Sequence, residues 1–231
     1  MIRDWSRIIR LWWSKLHPKL LTILNHTRFT LAIGTFMLVF TIVSQFLSHG
    51  QGYWPFLVNR WGWDLTTVQQ GRIYFAWTGL FFATAPVNFY GVLILLLIVM
   101  GALEYRHSTR WAALGFFVIG PITSIITLML LWPISNAGVT YVRVALFTPD
   151  MGASTACLVC LGMLLTSEKG LWRNTLLFGI LIILVGFVFQ NTAYNIDHLD
   201  GYIIGIATGA FFSWMRHRKQ RTLIQPDKKH I

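Results

Sequence analysis

Residues 198–209 read His198-Leu199-Asp200-Gly201-Tyr202-Ile203-Ile204-Gly205-Ile206-Ala207-Thr208-Gly209. Glycine at every fourth position puts Gly201, Gly205 and Gly209 on one face of a helix. In a membrane such a face lets a second helix approach to backbone contact. An earlier apolar run, Met151-Gly152-Ala153-Ser154-Thr155-Ala156-Cys157-Leu158-Val159-Cys160, offers Gly152, Ala156 and Cys160 at the same spacing. Packing these two small faces together is expected to bring the helix starts side by side, and with them Ser154 and His198.

The surrounding chain is a membrane protein by composition. Of its 231 residues 55% are apolar and only 12% charged, and its mean hydropathy is +0.58. Six stretches carry little or no charge: Phe29 to Leu47, Pro86 to Leu103, Trp111 to Trp132, Met151 to Thr166, Thr175 to Gln190 and His198 to Met215. Most approach the ~20 residues that a spanning helix needs, and helices satisfy their own backbone in lipid. The expected fold is therefore an all-α polytopic bundle of six transmembrane helices.

Lys and Arg orient it, because they are retained on the cytoplasmic side. With the N-terminus inside, only Arg60, Arg72 and Arg143 of the nineteen basic residues fall outside, and sixteen remain in cytoplasmic pieces. Both termini are thus expected to be cytoplasmic. The net charge of +11 follows from this topology and from attraction to anionic lipid headgroups. No aromatic-basic recognition module accompanies the charge, which argues against a nucleic-acid partner.

Three parts are expected: a basic amphipathic segment at 1–28, a membrane domain at 29–215 and a basic tail at 216–231. In the first, Trp5, Ile8, Ile9, Trp12, Trp13 and Leu16 recur at helical spacing, as in a helix lying on the inner surface. The first apolar run begins at Phe29 with no small-residue cleavage pattern after it, so it reads as a retained span and not a signal peptide. The outer loop from Ser48 to about Tyr74, with Trp54, Phe56, Trp61 and Trp63, is expected to lie in the headgroup region.

Chemistry concentrates at two helix starts. A serine hydroxyl is a nucleophile only beside a base. Of the seven histidines, only His198 stands at the outer start of a span. The run from Met151 to Thr166 is short, so its outer end is expected to stop below the surface and to floor a wet pocket. Ser154 lies ~18 Å above the inner boundary and His198 ~25 Å. Asp150 and Asp197 read as helix caps, and Asp200 as a further partner of the same helix start or of pocket water. Oxyanion donors are expected from the helix-terminal amides, Gly152 included, and from Asn88, ~22 Å above the inner end of its span. Cys157 and Cys160 read as small packing residues, because a metal would need further ligands.

These residues resemble the rhomboid intramembrane serine proteases and their rhomboid-like relatives, in a divergent bacterial branch. Gly152-Ala153-Ser154 is similar to that family's GxS nucleophile motif, and His198 through Gly205 to its sixth-span HxxGxxxG. Leu65 to Phe82 and Gly101-Ala102-Leu103-Glu104 with Arg106 are similar to the approach to its second span and that span's inner end. The resemblance implies a multi-pass protein of the bacterial plasma membrane. It would cleave transmembrane substrates near the outer boundary with a Ser/His dyad and no cofactor. A catalytically inactive relative binding transmembrane clients would share the same features, whereas a transporter would carry more intramembrane charge. The chain departs from the family pattern at several positions. Its second-span oxyanion residues align with Ala83, Asn88 and Val92, the glycine after the serine is Thr155, and the expected aromatic is Leu158.

Overall fold

A computed structural model describes residues 16–47, 60–82, 86–147, 153–166, 181 and 192–224. Among them the chain is helical, with no strand. The helices are α1 (Leu16–His26), α2 (Arg28–Leu47), α3 (Leu65–Gln69), α4 (Phe75–Thr78) and α5 (Pro86–Arg106). They are followed by α6 (Thr109–Asn136), α7 (Thr140–Leu146), α8 (Ser154–Thr166) and α9 (Thr192–Ile224). Within the described residues, Asn88–Arg106 and Thr109–Asn136 are long and apolar enough to cross a membrane, and α1 with α2 makes a third candidate span bent by 78°. This is consistent with an all-α membrane protein. Five of the six apolar runs read from the sequence lie on α2, α5, α6, α8 and α9. The other, Thr175 to Gln190, lies outside the described residues apart from residue 181.

Helix α2 opens at Arg28, beside the expected Phe29, whereas the start of α9 differs from the expectation. The chain turns at Thr27, where α1 meets α2, and α1 exposes Leu16, Leu20, Leu21, Ile23 and Leu24. The tryptophans at 5, 12 and 13 that suggested a surface helix lie outside the described residues. Helix α9 begins at Thr192, so His198 is in its second turn instead of opening it. Asp197 therefore does not precede a helix as a cap. Asn191, Thr192, Asn195 and Asp197 are all residue types that begin helices, and sequence spacing alone does not choose among them.

Residues 60–74, part of the segment read as an outer loop, pack into the helical fold. Trp63 is buried with Phe75 and Ala76, and Trp61 stacks on Phe82 with ring centroids 5.8 Å apart. Asp64 caps α3, accepting a 2.7 Å hydrogen bond from the Thr67 amide. Trp54 and Phe56 are outside the described residues.

At the C-terminal end of α5, Glu104 is buried and joins three helices. Its carboxylate accepts from the Phe29 and Thr30 amides at 3.1 and 2.8 Å, from the Thr30 hydroxyl at 2.8 Å and from the Thr109 hydroxyl at 2.9 Å. A carboxylate at the first turn of α2 satisfies orphan amides and complements the helix dipole. Glu104→Leu strands several buried donors, and its expected cost is about 3 kcal/mol. Thermal unfolding in detergent micelles measures it, and a loss under about 1 kcal/mol would show that water replaces the carboxylate.

Candidate active site

Helix α8 has thirteen residues and is nearly all buried, because it packs against glycines on two sides. On α6, a Cβ at Gly115 would lie 2.9 Å from Cys160 Sγ, and one at Gly120 would lie 2.9 Å from the Ala156 Cα. The approach to Gly120 coincides with a π-helical segment over Leu114–Ile119, an irregularity that shifts a helix face by a fraction of a turn. On α9, Gly201 faces Thr155, Gly205 faces the Val159 backbone and Gly209 faces Met163 and Thr166. A Cβ on Gly162 of α8 would in turn meet the Tyr202 carbonyl oxygen at 2.6 Å.

The helix faces in contact therefore differ from the expected ones. Gly201, Gly205 and Gly209 do seat α8, but against Thr155, Val159, Gly162, Met163 and Thr166. Ala156 and Cys160, read as the partner face, turn toward α6 instead, and Gly152 lies outside the described residues. The reason is the second glycine surface: Gly115 and Gly120 on α6 admit Ala156 and Cys160, which leaves the neighbouring stripe of α8 for α9. Cys157 and Cys160 are buried and form no disulfide.

The start of α8 is set by Ala153, whose carbonyl accepts the Cys157 amide at 2.8 Å. The amides of Ser154, Thr155 and Ala156 thus have no acceptor within the helix, and the positive end of the helix dipole points at Ser154. From Gly120, level with Ala156, α6 continues to Asn136, which is ~24 Å of helical rise. Ser154 accordingly sits well below the far end of α6.

Side-chain hydrogen bonds join this level to α9, among them one from Ser124 of α6 to Asp197. His198 Nε2 lies 2.7 Å from Ser154 Oγ. The Thr155 hydroxyl donates to Asp197 Oδ2. The Thr127 hydroxyl of α6 donates to Asp200 Oδ2 at 3.0 Å. Ser154 and His198 are both half-buried. Asn88 is exposed one residue from buried Phe89, and Phe89 belongs to the same apolar cluster as Ala153. Asp150 is outside the described residues.

Thr155, Thr127 and the interhelical use of Asp197 and Asp200 escaped the sequence reading. A usable signal existed: two carboxylates three residues apart on an apolar helix require hydroxyl or amide partners, because an unpaired carboxylate in that setting is costly. Among the described residues there is no group of three or more His, Cys, Asp or Glu placed to hold a metal. Comparison with models of known protein families found no match, and comparison with curated proteins found none either.

Proposed function

We propose that the protein is a rhomboid-type intramembrane serine endopeptidase of the bacterial plasma membrane. It has six spans and both termini in the cytoplasm, and it cleaves transmembrane proteins near the outer boundary. The observation that carries this reading is the 2.7 Å approach of His198 Nε2 to Ser154 Oγ at a recessed helix start. In the mechanism, Ser154 Oγ attacks the scissile carbonyl while Nε2 takes its proton. The Ser154 and Thr155 amides receive the charge developing on the carbonyl oxygen. His198 then returns the proton to the leaving amine, and water, deprotonated by His198, hydrolyses the acyl-enzyme to free Ser154.

The test is labelling with a serine-directed fluorophosphonate in detergent. Wild type is expected to react, and Ser154→Ala and His198→Ala to be unreactive. Equal labelling of all three, or a folded wild type that never labels, would favour a non-catalytic protein that binds transmembrane clients in the same place.

Asn88 is the side-chain oxyanion donor in this proposal. Asn88→Ala is expected to slow turnover by roughly tenfold, less than the hundredfold or more typical of a sole donor. Unchanged turnover of a transmembrane reporter substrate would assign the oxyanion to the helix amides alone.

A further inference from the structure

Two hydrogen bonds run side by side from the first two residues of α8 to adjacent residues of α9: Ser154 with His198, and Thr155 with Asp197. The proposed chemistry uses only the first. We infer that Thr155 and Asp197 are positioning residues, fixing the rotation and register of α9 so that His198 Nε2 stays on Ser154 Oγ. The inference rests on the Ser/His reading of the site.

Thr155 holds α9 at two successive turns. Its hydroxyl donates to Asp197, and its methyl lies against Gly201, where a Cβ would come within 2.8 Å of Thr155 Cγ2. Positions 197 and 201 are four apart and share a face. A helix gripped at both cannot turn about its axis without losing one contact. The tolerance is small: rotation by about 20° moves a group ~6 Å from the axis by roughly 2 Å, enough to break the hydrogen bond to Ser154. From the α6 side the Thr127 to Asp200 bond secures the same part of α9, and Ser124 shares Asp197 with Thr155.

Fluorophosphonate inactivation of the full chain in detergent micelles, followed over a range of probe concentrations, separates probe affinity from the maximal rate. Thr155→Val removes the hydroxyl at nearly constant shape. Its maximal rate is expected to fall roughly tenfold to a hundredfold, as small misplacements do, with probe affinity unchanged. Thr155→Ser and Asp197→Asn, which restore a donor and an acceptor, are expected to recover most of that rate. Asp197→Leu is expected to match Thr155→Val. Because valine removes one of the two hydroxyl partners of Asp197, Thr155 and Ser124, and a buried carboxylate short of a partner is costly, the double variant Thr155→Val/Asp197→Leu places an apolar pair at this contact, and it too is expected to be slow. Wild-type rates in Thr155→Val or in the double variant would overturn the inference while leaving the dyad in place. A loss in Thr155→Ser as deep as in Thr155→Val would overturn it as well, by assigning the effect to side-chain size. A wild type that does not label overturns the dyad reading itself, and this inference with it.

Discussion

Turnover of a transmembrane substrate is expected to fall by roughly four orders of magnitude or more in Ser154→Ala and equally in His198→Ala, with the double variant no slower than either. The equality follows from the proposed mechanism, in which Nε2 and Oγ, 2.7 Å apart, act as one unit: removing the base leaves a hydroxyl that is not a nucleophile, and removing the hydroxyl leaves a base with nothing to activate. What would survive is the contribution of the α8 amides to the oxyanion. Cleavage of a reporter substrate reconstituted with each variant in liposomes measures this. A His198→Ala protein within about tenfold of wild type, against the far larger loss that acting as a unit demands, would remove His198 from the reaction.

The second large effect concerns folding. Gly205→Leu is expected to abolish the folded state, and even Gly205→Ala to cost at least about 3 kcal/mol. A Cβ there would fall on the Val159 backbone, 2.9 Å from both its Cα and its carbonyl carbon. Backbone has no rotamer to yield, so the whole of α9 would have to move off α8. Gly91 is the control, since a Cβ there meets nothing within 4 Å. Gly91→Ala is expected to be neutral within about 0.5 kcal/mol. Thermal unfolding in detergent compares the two, and equal midpoints for both alanine variants would refute the close approach of α8 and α9.

Much of this arrangement is legible in the chain because the signals are local. Apolar runs of the right length mark the helices that now form α2, α5, α6, α8 and α9, and four-residue glycine spacing marks the face of α9 that must meet another helix. Ser154 is legible as a helix start, and Ala153 duly accepts the first helical hydrogen bond. The start of α9 is not, since Asn191, Thr192, Asn195 and Asp197 are competing candidates. Nor is the face of α8 that meets α9: Gly152, Ala156 and Cys160 form the smaller stripe, yet Ala156 and Cys160 are taken up by Gly120 and Gly115 of α6.

Sequence alone points to the solvent and the secondary structure: 55% apolar content fits a membrane protein, and apolar runs near the length of a spanning helix favour helices over barrel strands. It also narrows the candidate reactive residues to a serine and a histidine on two apolar runs, because few other polar groups suited to the chemistry occur there. Which stripe of α8 faces α9, and so whether His198 reaches Ser154 and what Asp197 holds, is decided only by tertiary structure. Those choices depend on how three helices share their small surfaces, and a competition among distant glycines leaves no trace in the spacing of any one segment.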